Sequence, residues 1–166
     1  MIKFSIGILT ILFISVSAAT VIAQDKTIIL VRHAEKADAT SQDPELSAEG
    51  KQRAERLVKA AGKYKPGAFY STNFKRTRDT ISPLAAKRQK QVETYDARNP
   101  SALVDSIMKS KFKRHIIAGH SNSIPGLANL IAKKDVFKNL DESEYGVIWV
   151  IRIKDGKVRK TEVIPY

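Results

Sequence analysis

Lys26-Thr27-Ile28-Ile29-Leu30-Val31-Arg32-His33 decides how the rest of the chain is read. Five consecutive apolar or β-branched residues fit a short strand buried on both faces, and the run stops abruptly on a guanidinium and an imidazole. A strand of that kind belongs inside a parallel sheet with helices above and below it. The following sequence supplies them. Ala54, Leu57, Val58 and Ala61 recur at helical spacing between Ser47, a suitable N-cap, and Gly62, a suitable stop. Ala68-Phe69-Tyr70 reads as a second strand, and Phe74 to Arg88 as a helix that Pro83 is expected to bend or end early. Val92 to Tyr95, Ser101 to Met108, His115 to Gly119 and Ser123 to Ala132 continue the alternation of strand and helix. The tail changes rhythm, with Val147 to Ile151 and Lys157 to Ile164 flanking Asp155-Gly156, a dipeptide that favours a tight hairpin. The expected fold is an α/β three-layer sandwich: a mainly parallel central sheet flanked by helices, with a C-terminal antiparallel hairpin.

Composition agrees with one packed domain. The chain has 166 residues, 43% of them apolar, and no cysteine, which excludes thiolate chemistry, disulfides and cysteine-ligated metal. Residues 1–23 carry one charge, Lys3, and the stretch from Ile6 to Val16 is almost wholly apolar, with small uncharged residues near Ala23. That layout reads as an export signal cleaved near Ala23, leaving residues 24–166 as a single domain in the periplasm or outside the cell, with no stable membrane anchor. A retained anchor is the alternative, but the apolar part is shorter than the ~20 residues that cross a bilayer.

In an open parallel sheet, ligands bind beyond the carboxyl ends of the strands. Four such ends are polar here: Arg32-His33 after the first strand, Ser71-Thr72 and then Arg76 after the second, Asp96 after the third, and His120-Ser121-Asn122 after the fourth. Two imidazoles, two guanidiniums, hydroxyls and a carboxylate gathered on one rim suit a phosphoryl group. Guanidiniums bind its oxygens through paired charge-assisted hydrogen bonds, and a neutral imidazole can attack phosphorus near neutral pH. His115, five residues before His120, faces away from that rim and reads as structural.

Four segments, Leu30-Val31-Arg32-His33-Ala34-Glu35, Leu46-Ser47-Ala48-Glu49-Gly50, Ser71 to Thr80 and Gly119-His120-Ser121-Asn122, resemble in order and spacing the histidine phosphatase superfamily, also called phosphoglycerate mutase-like. The resemblance spans about residues 26–132. It implies a phosphatase that hydrolyses phosphomonoesters, or phosphorylated protein side chains, through a phosphohistidine intermediate. His33 would be the nucleophile, Arg32 and Arg76 would grip the phosphoryl oxygens, and His120 would complete the pocket as a hydrogen-bond donor. No metal or other cofactor is implied, because the arginines supply the positive charge. The chain departs from the pattern at Ala34, where many members have Gly, and in the loop around Lys36. Ser121 stands where the acid phosphatase branch has a carboxylate. Asp96 is therefore the first choice for the leaving-group acid and Glu93 the second. The substrates that fit are a phosphorylated small molecule, an envelope component or a phosphoprotein.

From Lys51 to Lys90 there are 12 Lys or Arg residues and two acids, Glu55 and Asp79. This field around the first two helices leaves open a second class of function, a binding protein for phosphate ligands, anionic polymers or nucleic acid without turnover. No base-stacking platform or reading motif accompanies it, so specific nucleic-acid binding is not expected.

Overall fold

The computed structural model describes residues 25–166, in the order β1 (Lys26–Arg32), α1 (Ala48–Gly62), β2 (Ala68–Ser71), α2 (Lys75–Lys87), β3 (Val92–Thr94), α3 (Pro100–Lys109), β4 (Arg114–Gly119), α4 (Ser123–Ala132), β5 (Val147–Lys154) and β6 (Lys157–Pro165). The strands form one sheet in the order β3-β2-β4-β1-β5-β6. The first four run parallel, and β5 and β6 are antiparallel additions. Alternate residues of β1 serve opposite layers: Ile28 and Leu30 pack with Leu103, Ile107, Ile124 and Leu127 of α3 and α4, whereas Ile29 and Val31 pack with Leu57, Ala61, Ile81 and Leu84 of α1 and α2. This is the three-layer sandwich read from the sequence. The stretch read as an export signal lies outside the described residues.

Local chemistry sets most element ends. The Ser47 hydroxyl accepts the Gly50 N–H and caps α1. Asp155 and Gly156 both take positive φ, 51° and 70°, the conformation of a two-residue turn that matches the strand twist. Pro83 neither ends nor shortens α2, which runs on to Lys87. Burial of Ile81, Leu84 and Ala85 on either side of it offsets the roughly 3 kcal/mol cost of an interior proline. His115 is structural: its ring is fully buried, stacks on Tyr70 at 6.1 Å between centroids, and donates from Nε2 to the Phe112 carbonyl at 2.9 Å.

The strand order decides where chemistry can occur. β1 and β4 are neighbours with Arg32 opposite Gly119, and β4 in turn sets Ala118 opposite Ser71 of β2. Arg32-His33, Ser71-Thr72 and His120 therefore leave the sheet side by side. α1, which follows β1, covers one face, and α4, which follows β4, covers the other. The gap between those two exits is a topological switch point, the place where open α/β sheets bind ligands.

Candidate active site

His33 leaves β1 with its N–H bonded to the Gly119 carbonyl at 2.9 Å, which ties it to the end of β4. Its side chain turns inward and is only 4% exposed. Nδ1 lies 2.8 Å from the Ala34 carbonyl oxygen, so Nδ1 carries the proton in the neutral ring and the lone pair is left on Nε2. Burial, reinforced by Arg32, Arg76 and His120, pushes the His33 pKa down to about 4. At neutral pH the ring is therefore an uncharged base with one free nitrogen. Its backbone is fixed from two helices. The Ala34 N–H donates to Thr80 Oγ1 at 2.9 Å, and that hydroxyl donates to the Arg76 carbonyl at 2.7 Å. On the other side, a Cβ on Gly50 would stand 2.3 Å from the Glu35 carbonyl oxygen, so only glycine lets α1 approach this closely.

His120 faces His33 edge-on with 5.5 Å between ring centroids. Its Nε2 is 3.0 Å from Thr72 Oγ1, which continues to Thr77 Oγ1 at 2.9 Å, and its Nδ1 is 3.5 Å from Nη2 of Arg76. The ring is also held down to a pKa of about 4, by burial first and then by Arg76 and Arg32. Two neutral imidazoles thus sit between two guanidiniums. Arg76 is braced by the Phe74 ring, 4.5 Å from its Cζ, and by the Gln42 carbonyl at 3.2 Å.

Arg32 is 2% exposed and anchored from a direction the sequence did not announce. Its Nη1 donates to the carbonyls of Asp141 and Glu144, both at 2.7 Å, and its Nη2 to the carbonyl and the carboxylate of Glu142 at 3.2 and 3.1 Å. Tyr145 stacks beneath it, 4.2 Å from Cζ. The segment between α4 and β5 therefore wraps the site. Glu142 also accepts from Ser121 Oγ at 2.8 Å and lies 3.6 Å from Lys36 Nζ, and these partners keep its carboxyl below the usual range. Among the described residues, the buried Nε atoms of Arg32 and Arg76 meet no acceptor. Two buried cationic donors without an acceptor carry the desolvation cost of lost hydration, which an oxyanion relieves.

Asp96 follows β3 and lines a cavity of about 770 Å³ together with His120, Thr72, Phe74, Arg98 and Asn122. Its carboxylate is exposed and bonded to Arg98 through the backbone N–H at 2.9 Å and both Nε and Nη2 at 3.1 Å, which holds its pKa down. Glu93 sits on β3 opposite Tyr70 with an exposed side chain. The structure thus gathers Arg32, His33, Arg76 and His120 in one cluster and sets Asp96 on the wall of the adjoining cavity. Glu142 and Tyr145 went unread because no motif or periodicity marks the segment after α4; the quoted run to Thr80 contains Thr72, Thr77 and Thr80 without saying what they hold.

A mainly parallel sheet with a histidine pair and two arginines at its switch point offers an arrangement chemically suited to an oxyanion. Residues 28–98 match the family model for the histidine phosphatase superfamily (branch 1), the superfamily that the sequence motifs resemble. No curated protein matches it by sequence. Among solved structures, the mycobacterial glucosyl-3-phosphoglycerate phosphatase is similar at TM-score 0.68 and 11% identity, over 86% of this chain and 99% of that one. Phosphoserine phosphatase from Entamoeba histolytica is similar at TM-score 0.65 and 14% identity, over 82% of this chain and 96% of that one. SixA from Agrobacterium tumefaciens, a proposed phosphohistidine phosphatase, is similar at 0.63 and 16%, over 82% and 97%. At these identities the likeness is one of fold.

Proposed function

We propose that the protein is a phosphatase that transfers a phosphoryl group to His33 and then to water. The observation that carries this reading is the Nδ1 contact of His33 with the Ala34 carbonyl, which leaves Nε2 as a neutral nucleophile inside a cluster of guanidiniums. The Nε2 lone pair attacks phosphorus, and the bond from phosphorus to the leaving oxygen breaks with its electron pair going to that oxygen. In the second step water attacks the phosphohistidine, the P–N bond breaks, and its electron pair returns to Nε2 as orthophosphate and one proton are released. Splitting the displacement this way replaces one difficult step with two easier ones. Arg32, Arg76 and His120 stabilise the charge that spreads over the equatorial oxygens.

The cavity beside His120 takes the leaving group, and its size suits a sugar-sized alcohol or a phosphorylated side chain. Asp96 is the proposed proton donor to that group, acting through its protonated fraction, which Arg98 keeps small, so turnover is fastest for leaving oxygens that need little protonation. Phosphomonoesters and phosphoprotein side chains are the proposed substrates. Residues 1–23 support export to the cell envelope as the setting. A second reading, a phosphate-binding protein without turnover, draws on Glu142, whose carboxylate shares Arg32 with any incoming phosphate. Assay of an aryl phosphate with the purified protein and with His33→Ala separates them. Turnover that the substitution abolishes supports the phosphatase; orthophosphate binding by both proteins with no turnover supports the second reading.

A further inference from the structure

The opposite end of the sheet holds the other concentration of charge. Lys63-Tyr64-Lys65 joins α1 to β2, and Lys111-Phe112-Lys113 joins α3 to β4, so an aromatic residue flanked by lysines occurs on two neighbouring loops. A third loop, Arg88-Gln89-Lys90-Gln91 between α2 and β3, adds two more cations at the same end. None of these three loops contains an acid; among the described residues, Asp25 before β1 is the one carboxylate that lines the cavity shared by Lys63, Tyr64 and Lys113. The four flanking lysines and Lys90 are all exposed. The loops pack on one another. Arg114 Nη1 donates to the Tyr64 carbonyl at 3.4 Å, and a Cβ on Gly67 would touch the Phe112 ring at 2.9 Å.

We infer that this rim is a docking surface for a bilayer containing anionic phospholipid. A half-buried aromatic ring ringed by lysines is the composition that settles at a headgroup layer, apolar body inward and charges outward. Single-stranded nucleic acid would also meet positive charge here, but it gains its affinity by stacking bases on open ring faces. Both rings are already attended by cations. Lys63 and Arg152 lie 5.2 and 5.7 Å from the Tyr64 centroid, and Lys90 and Lys111 each lie 5.7 Å from that of Phe112. Among the described residues no helix is long and apolar enough to cross a membrane, so the rim acts as a peripheral contact.

The attachment fixes an orientation. β1 spans seven residues, so at about 3.3 Å per residue the His33 rim stands roughly 20 Å from the docked rim and opens away from the lipid. The proposed phosphatase, on which only this consequence rests, then takes soluble phosphate compounds rather than phosphates in the same bilayer.

Residues 24–166, the chain that the proposed export cleavage leaves, are tested, since every residue of the rim lies within them. Co-sedimentation with phosphatidylcholine vesicles is compared with vesicles that also contain phosphatidylglycerol. Each cation held against an anionic surface contributes roughly five-fold in partitioning, so Lys63, Lys90, Lys111 and Lys113 replaced together by Gln reduce binding on the order of a hundred-fold or more. Removal of four cations from the helix faces, Lys51, Arg56, Lys75 and Arg78 to Gln, changes net charge equally and reduces it only a few-fold. Circular dichroism confirms that both variants are folded. Equal losses in the two variants, binding that ignores phosphatidylglycerol, or stronger capture of an oligonucleotide than of anionic vesicles at equal salt would overturn the assignment. Turnover of a soluble ester is read separately; its absence would end the phosphatase reading and leave the docking result standing.

Discussion

The two ends of the sheet are both cationic, yet they are built for different tasks. At the carboxyl ends of the strands, the upper rim, Arg32 is buried against backbone carbonyls and a tyrosine, and Arg76 is braced by a phenylalanine. Both stand beside imidazoles that are kept neutral. At the amino ends, the lower rim, the loop lysines are exposed, whereas Lys26 is buried against the Ser110 and Phe112 carbonyls. Among the described residues, the one carboxylate that lines the cavity beside Lys63 and Lys113 is Asp25, just before β1. Buried charge in a fixed geometry acts strongly over a few ångströms, whereas exposed charge acts weakly, additively and within a Debye length. Count alone does not separate the two ends; desolvation and direction do.

The most damaging way to break the upper rim is His33→Ala. Turnover is expected to fall by at least about a thousand-fold, because the nucleophile is lost outright, while vesicle binding at the lower rim is unchanged. Steady-state assay and co-sedimentation on the same preparation check both halves. Arg76→Ala comes next, with an expected loss of about a hundred- to a thousand-fold in kcat/KM, the usual consequence of deleting a preorganised donor to developing charge.

Asp96→Asn sharpens the picture of the leaving-group side. Alkyl phosphates are expected to slow by roughly a hundred-fold and aryl phosphates hardly at all, since only the former need the proton. Equal effects on both substrates would remove Asp96 from that role. Smaller still is Glu142→Gln, which keeps the hydrogen-bonding shape and removes the charge that shares Arg32. Orthophosphate is expected to inhibit this variant a few-fold more tightly, measured as a competitive inhibition constant.

The buried histidines give a pH signature. His115 is fully buried, with a pKa pushed to about 4 by burial and, to a smaller extent, by Lys26. The unfolded ring titrates near 6.5 and so binds more protons than the folded one between those values. Its contribution to stability is fully present above pH 6.5 and falls away as pH drops toward 4, by about 3 kcal/mol. Urea midpoints at pH 7 and pH 4.5 measure the decline. By the same reasoning, the acidic limb of kcat/KM that belongs to His33 lies near pH 4.

The upper rim was largely legible in the sequence because each of its parts sits at the end of an element with a clear pattern. The β-branched run before Arg32-His33, the Ser47 cap and the small-residue turn Gly119-His120 locate it without knowledge of strand order. Strand order itself is a property of long-range pairing, which local periodicity does not carry. The segment after α4 is irregular, so nothing local announced that Glu142 and Tyr145 return to Arg32. Pro83 misled in the opposite sense: its local cost is real, but two buried turns of α2 outweigh it. The lower rim was partly legible as charge, since Lys63, Lys65, Arg88 and Lys90 all fall within the basic stretch from Lys51 to Lys90. The cations that cluster there come from loops far apart in sequence, and only the strand order brings Tyr64 and Phe112 together.

The claim that joins fold to chemistry is the free Nε2 of His33. Rapid acid-free quenching of the protein during turnover of a phosphate ester, followed by digestion and mass spectrometry, reads it directly. The account requires an acid-labile phosphoryl group on the peptide that carries His33 and its disappearance in His33→Ala. Turnover with no phosphorylated intermediate, or with the label on another residue, would contradict it.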